Sequence, residues 1–144
     1  DRRSEGKIVT VDPLPHNIPM FWNCIDDSEG EKTRAQLLAE HSELIDRHIW
    51  FMEGKSDDIL NMLELSRIHF AFLDGVHNYE DVKFEVSYVL PRQKKGDIIF
   101  FDDYQESYFP GIVKAVKELE SEGAYSIKTL SVNNQRGYAI AVKI

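Results

Sequence analysis

Two apolar runs in this sequence each end abruptly in acidic residues. The first run ends at Asp74, which stands three residues before His77, and the second ends at Asp102 and Asp103. A segment with helical spacing separates the runs, which predicts strand, helix, strand. Neighbouring parallel strands end at the same edge of a sheet, about 5 Å apart, and α/β proteins bind ligands at that edge. Three carboxylates and an imidazole gathered there are typical of a metal site or an acid–base site.

The hydrophobic pattern of the whole chain predicts elements in the order βαβαβαβαββ. β-Branched and alternating apolar residues predict strands, and apolar residues three and four apart predict helices. Ser28 and Glu31 have the spacing of a capping box before the first helix. The strands are predicted at 7–11, 49–52, 68–73, 97–101, 126–132 and 138–144, with helices near 37–45, 58–65, 79–90 and 112–119. This order predicts an α/β fold with a mostly parallel sheet and an antiparallel last strand.

Composition narrows the classes of function. The chain has 144 residues, a net charge of −8 and 42% hydrophobic residues, which predicts one globular domain over 1–144. The acidic charge argues against a nucleic-acid partner and suits a small molecule or a cation. The single cysteine, Cys24, excludes an internal disulfide. No apolar run is long enough to span a bilayer and nothing resembles a signal peptide, so the expectation is a cytoplasmic protein without a membrane partner.

Three stretches carry a family resemblance. They are 72–80 (Phe-Leu-Asp-Gly-Val-His-Asn-Tyr-Glu), Leu-Pro at 90–91 before Lys-Gly at 95–96, and 98–104 (Ile-Ile-Phe-Phe-Asp-Asp-Tyr). The chain resembles class I S-adenosylmethionine-dependent methyltransferases, in the branch of macrocin O-methyltransferase and cephalosporin-hydroxylase-like proteins. The resemblance implies a three-layer Rossmann-like fold and transfer of a methyl group from S-adenosylmethionine to a small-molecule hydroxyl, assisted by Mg²⁺ or a similar divalent cation.

The resemblance also implies which residues contact the cofactor. Asp12 ends the first strand of this chain, where the family hydrogen-bonds the ribose, and Gly54, Ser56 and Asp57 correspond to the loop around the adenine. Asp74 is expected to contribute to cofactor binding as well. The alternatives are structural: an Asp-Pro turn at Asp12, and capping of the next helix by Ser56 or Asp57.

The metal ligands implied by the resemblance are Asp74, Asp102 and Asp103. His77 is the expected catalytic base, because a neutral imidazole there can take a proton from a substrate hydroxyl. The alternatives are that the acids cap helices and face water, and that His77 caps the helix beginning near Tyr79. A metal-dependent hydrolase using the same carboxylates is a weaker rival, because the sequence supplies no second His and Asp cluster for a two-metal site.

One family feature has no counterpart in this sequence. No G-x-G loop exists, and the first predicted strand corresponds to the second strand of the family. The family sheet order would be 3-2-1-4-5-7-6, so the unmatched strand is the central one and two apolar strand edges are left open. We therefore expect a truncated domain, or one completed by another copy in a homo-oligomer. The alternative function is a methyltransferase-fold domain that binds no cofactor.

Overall fold

The structure is a computed structural model of the chain, and it describes residues 6–22, 30–133 and 136–144. The chain divides into two compact units, residues 1–59 and 60–144. The prediction of a single domain over residues 1–144 is not tested by this division into units. In the part of the chain that the structure describes, no helix is both long enough and apolar enough to cross a membrane.

The first unit contains a pair of parallel strands. β1 (Ile8–Asp12) and β2 (Ile49–Glu53) align with Ile8 opposite Ile49 and with Asp12 opposite Glu53. Their β-branched and aromatic residues favour extended backbone. Two short helices, α1 (Arg34–Leu37) and α2 (Ser42–His48), connect the strands, and α3 (Ser56–Met62) follows β2.

The start of α1 differs from the sequence prediction. Thr33 is the N-cap: its hydroxyl accepts a hydrogen bond from the Gln36 amide at 3.2 Å, and the Gln36 side chain accepts one from the Thr33 amide at 2.9 Å. This reciprocal arrangement is a capping box. The predicted box began at Ser28, which lies outside the described residues.

The second unit is a four-stranded mixed sheet with two long helices. Its elements are β3 (Phe70–Leu73), α4 (Tyr79–Val89), β4 (Ile98–Phe101), α5 (Pro110–Ser121), β5 (Tyr125–Asn133) and β6 (Arg136–Lys143). The strand order is β3-β4-β6-β5, with β3 parallel to β4 and β6 antiparallel to both of its neighbours. The predicted α/β class, with its antiparallel last strand, is confirmed. In the numbering of the family the two sheets read 3-2 and 4-5-7-6, as expected for a fold without the first strand.

The core of the second unit lies between α4, α5 and one face of the sheet. Ile99 and Phe101 of β4 are fully buried, and Val86 and Val116 from the two helices pack into the same cluster. Side chains alternate between the faces of a strand, so the residues between them face the other way. Burial of each such apolar side chain stabilises the fold by roughly 1.5–3 kcal/mol, which fixes the register of β4 and therefore the position of its acidic end.

The opposite face of this sheet carries exposed aromatic residues. Phe70 and Phe72 of β3 are 58% and 52% exposed, and the ring of Phe72 lies 5.5 Å from that of Phe100. Among the described residues β3 pairs with β4 along one edge only. The sheet of the second unit therefore ends in an apolar strand with one unpaired edge.

Candidate active site

The carboxyl ends of β3 and β4 lie side by side. Leu73 is paired with Phe101 in the parallel register, and the Asp102 amide donates a hydrogen bond to the Leu73 carbonyl at 3.0 Å. Asp74 and Asp102 are the next residues of their strands, so the two acidic segments leave the sheet at the same edge. The structure thus brings the two acidic motifs of the sequence together.

Three of the predicted site residues converge there. One carboxylate oxygen each of Asp74 and Asp103 and one ring nitrogen of His77 all lie within 4.8 Å of one another. His77 Nε2 is 3.0 Å from Asp103 Oδ2, yet this buried nitrogen makes no hydrogen bond to any described residue. The distance suits a hydrogen bond but the angle does not. Carboxylate oxygens are donors that suit a divalent cation, and an imidazole nitrogen beside them can accept a proton.

The loop after β4 has the backbone conformation that turns Asp103 into this site. Asp103 has φ of +51°, the left-handed region that few residues other than glycine, asparagine and aspartate adopt. Its amide donates to Asp102 Oδ1 at 2.8 Å. Such strained positions collect at functional sites.

Asp102 differs from the other two acids in its burial and its hydrogen bonds. The residue is only 5% exposed, and besides the Asp103 amide it accepts a hydrogen bond from Arg136 Nη2 on Oδ2 at 3.2 Å. Both of its oxygens are therefore engaged by the protein. Asp102 remains a predicted ligand, but it lies outside the group of three whose atoms converge.

The pKa of Asp74 is raised above its ordinary value. The main cause of the raised pKa is that neighbouring atoms partly desolvate the carboxylate, although the residue as a whole is exposed. The negative charges of Asp102 and Asp103 raise the pKa further. His77 and Arg136 act in the opposite direction. Repulsion among gathered carboxylates is what a bound cation would relieve.

Sequence reasoning missed the residues that hold the site loops. The centre of the Phe109 ring, next to the start of α5, lies 4.4 Å from the centre of the His77 imidazole, so the two rings are in contact. Gly111 and Gly137 allow backbone contacts that a side chain would prevent. A Cβ on Gly111 would lie 2.6 Å from the Tyr79 nitrogen, and one on Gly137 would lie 2.4 Å from the Tyr104 carbonyl oxygen. Isolated glycines in helix and strand patterns were the available signal.

The enclosed space at the site is small. A cavity of about 10 Å³ lined by Asp74 and His77 is at the lower limit for holding one water molecule, so a substrate would have to approach from the solvent side. A larger surface depression of about 480 Å³ lies along α5. There Lys117 pairs with Glu106, and Glu118 accepts a hydrogen bond from Tyr79. Because those charges already pair with each other, we assign no chemistry to that depression.

The predicted cofactor residues of the first unit lie at the ends of β1 and β2. Both carboxylate oxygens of Asp12 accept hydrogen bonds from Arg34 Nη2 at 3.0 Å, and Oδ1 also accepts from the Leu14 amide. Arg34 is 7% exposed and its guanidinium lies over the rings of Trp22 and Phe51. A carboxylate accepts about four hydrogen bonds, so roughly one site on Asp12 stays open.

The loop after β2 returns to the end of β1. The Gly54 amide donates to the Asp12 carbonyl at 2.9 Å, and Gly54 has φ of +154° with the side chain of Ile59 directly against it. Ser56 is the first residue of α3, and Asp57 Oδ1 accepts a hydrogen bond from the Asp58 amide at 3.0 Å. The acid that ends β1 and the glycine that follows β2 are thus joined by backbone. The roles of Gly54, Ser56 and Asp57 at the adenine stay predictions.

The fold is a Rossmann-like α/β fold of the methyltransferase class. Its features are two parallel strand pairs, an antiparallel β6 beside β4, and acids at the strand ends. The model of a family described as "methyltransferase domain" matches residues 1–104. This chain belongs to that family. Among curated protein sequences, none matches it.

Solved structures of O-methyltransferases have the same fold. One is the O-methyltransferase TomG from Streptomyces achromogenes, which is involved in tomaymycin synthesis and was solved with S-adenosylmethionine. It is 17% identical to this chain with a TM-score of 0.64, and the match covers 96% of this chain and 62% of TomG. An O-methyltransferase from Bacillus cereus, solved with SAH, is 15% identical with a TM-score of 0.65, covering 96% and 63%. CalS11, a TDP-rhamnose 3'-O-methyltransferase of calicheamicin biosynthesis, is 17% identical with a TM-score of 0.60, covering 95% and 58%. The chain therefore spans about three fifths of the length of these structures.

Proposed function

We propose that this chain forms part of an S-adenosylmethionine-dependent O-methyltransferase that acts on a small-molecule hydroxyl with the help of a divalent cation such as Mg²⁺. The observation that carries the proposal is the convergence of Asp74, Asp103 and the unbonded Nε2 of His77 at the end of β3 and β4. The methyltransferase family and the O-methyltransferases of the same fold support the choice of reaction.

In this proposal the two carboxylates and the imidazole have different roles. When bound, S-adenosylmethionine supplies an electrophilic methyl group and the cation lowers the pKa of a coordinated hydroxyl. Asp74 and Asp103 would hold the cation. His77, whose ring contacts Phe109, takes the proton of the hydroxyl on Nε2. Most of the remaining barrier is lowered by positioning rather than by further proton transfer.

The alternative function is a methyltransferase-fold domain that no longer binds the cofactor. The ion pair between Asp12 and Arg34 favours it, because the carboxylate expected to accept the ribose hydroxyls already accepts three hydrogen bonds from the protein. A cofactor with two ribose hydroxyls would have to displace part of this pair.

Calorimetric titrations distinguish the two functions. For the proposal we expect Mn²⁺, used as a probe for Mg²⁺, to bind the wild type and to bind Asp103→Asn at least about tenfold more weakly, since one of two anionic ligands is lost. Asp46→Asn is the matched control, because Asp46 is an exposed acid on α2. S-Adenosylmethionine is then titrated with and without Mn²⁺. Binding of Mn²⁺ with no binding of S-adenosylmethionine would support the alternative, and equal Mn²⁺ affinity for wild type and Asp103→Asn would overturn the cation site.

We also propose that the chain forms a homo-oligomer. The support is the edge of β3 that pairs with no strand in the described part of the chain, together with the exposure of Phe70 and Phe72 beside it. An open apolar strand edge is prone to pair with another chain.

A further inference from the structure

Glu85 is a buried carboxylic acid to which the proposed reaction gives no role. It lies on α4 and is only 7% exposed. The other buried residues of this helix are apolar: Val82, Val86 and Val89. A carboxylate in such a face is costly unless its surroundings are polar. The atoms that Glu85 faces therefore indicate what the residue does.

The Glu85 side chain faces the loop that follows β3. A Cβ added to Gly75 would lie 3.1 Å from Glu85 Oε1, 3.9 Å from Cδ and 4.0 Å from Oε2, and no other side chain or distant backbone atom lies nearer to that position. Glycine at 75 therefore leaves the space that the carboxylate uses. Glu85 also lines the cavity of about 10 Å³ to which Asp74 and His77 contribute.

Gly75 lies between the two site residues of this loop. Asp74 precedes it directly and His77 is two residues further on. A shift of the Gly75 backbone would therefore move an expected cation ligand and the expected base together. The helix that carries Glu85 is fixed by its apolar residues in the core. Residues behind the ligands of a metal site commonly orient those ligands.

We propose that Glu85 is a positioning residue, whose carboxylate supports the Gly75 backbone from the core side and so sets the places of Asp74 and His77. This inference rests on the cation site of the proposed function. Glu85 acts through the loop and is neither a ligand nor the base. The missing Cβ at Gly75 and the length of the Glu85 side chain are complementary, so a change in one can be compensated by a change in the other.

Mn²⁺ titrations of four variants test this assignment. Glu85→Ala removes the support and is expected to bind Mn²⁺ about tenfold more weakly than the wild type. Gly75→Ala is expected to lose about as much, because its Cβ crowds a buried carboxylate. Glu85→Asp keeps the charge on a side chain one methylene shorter and should lose about threefold. The double variant Gly75→Ala/Glu85→Asp should recover to within about threefold of the wild type, because the shorter acid makes room for the Cβ.

Glu120→Ala is the matched control, since it removes an exposed glutamate from α5. Its affinity should stay within about twofold of the wild type, and a loss equal to that of Glu85→Ala would assign the effect to net charge and overturn the proposal. Thermal unfolding shows which variants are folded at the titration temperature. A variant that is folded but less stable keeps its Mn²⁺ affinity if Glu85 only stabilises the core. If Glu85→Ala does not fold, Gly75→Ala and the double variant carry the test.

The outcomes separate this inference from the proposed function. Mn²⁺ affinity that is lost in Asp103→Asn but unchanged in Glu85→Ala or in Gly75→Ala would leave the cation site in place and overturn the role of Glu85. A double variant that binds no better than Gly75→Ala would likewise overturn it, because the two residues would then not act through their contact. If the wild type does not bind Mn²⁺, both the cation site and the inference are wrong.

Discussion

The contact between Gly111 and the loop that carries His77 leaves no space for a side chain. A Cβ on Gly111 would lie 2.6 Å from the Tyr79 nitrogen and 2.9 Å from both the His77 carbonyl oxygen and the Asn78 carbonyl carbon. All three are backbone atoms, so no side chain can rotate away. Asn78 is also the N-cap of α4, where its side chain accepts from the Asp81 amide at 2.9 Å, which makes the loop expensive to move.

We expect Gly111→Ala to destabilise the protein although alanine favours helices. The helix preference of alanine over glycine is at most about 1 kcal/mol and is smaller at the second residue of α5. Overpacking against fixed atoms costs about 1–3 kcal/mol, so the net loss should be about 1–2 kcal/mol. With a urea slope of about 2 kcal/mol/M, the unfolding midpoint should fall by roughly 0.5–1 M. Mn²⁺ affinity should fall too, because the displaced carbonyl belongs to His77.

Gly6→Ala is the matched control, since no atom lies within 4 Å of the position of its added Cβ. Its midpoint should remain within about 0.2 M of the wild type. A Gly111→Ala variant with an unchanged or higher midpoint would show that the helix preference outweighs the contact and would refute the packing argument. An unchanged Mn²⁺ affinity beside a lowered midpoint would refute only the link to His77.

Three further predictions concern ionisation and assembly. Hydrogen bonds from Arg67 lower the pKa of Asp97 in the folded protein. The contribution of Asp97 to the free energy of unfolding is therefore complete above the unfolded pKa of about 4 and is lost as pH falls through the lower folded value. Asp97→Asn should melt several degrees below the wild type at pH 7, and this difference should narrow towards pH 2. Burial raises the pKa of Tyr125 to about 12. The difference between the absorbance titrations of the wild type and Tyr125→Phe should therefore have its midpoint near pH 12, and a midpoint near 10 would contradict the burial. The free energy of unfolding should fall between pH 10 and 12, because the tyrosine ionises first in the unfolded state. Light scattering should give a mass at least twice the 16.7 kDa of one chain and a smaller mass for Phe72→Lys, and a monomeric wild type would count against self-association.

The sequence predicted most elements of the fold because its local signals agree with one another, although the helix predicted near 37–45 is observed as two short helices, Arg34–Leu37 and Ser42–His48. The run at 98–101 is apolar throughout, and the strand observed there is buried on one face and half-buried on the other. The helix predicted at 79–90 is observed as Tyr79–Val89, ending just before Pro91. Acids directly after two strands indicated where the parallel pair would end, because parallel strands finish at one edge.

What the sequence could not predict are contacts between segments distant in the chain. Nothing near Asp12 indicates that a buried Arg34, 22 residues later, takes its carboxylate. Arg136 likewise lies 34 residues from Asp102 and reaches it only because β6 pairs with β4. The close approach at Gly137 needs the same pairing. Spacing along the chain holds no information about such contacts.

The left-handed backbone at Asp103 restricts which residues can serve there as a ligand. A φ of +51° is tolerated by aspartate, asparagine and glycine, and costs other residues roughly 1–2 kcal/mol. Of these three residues, aspartate alone carries a charge. Glutamate carries the same charge, but it is disfavoured here because of its backbone preference rather than its chemistry. Substitutions at this position can therefore change the charge in one step with the loop unchanged, which would give the fold a simple route to lose or regain the proposed cation site.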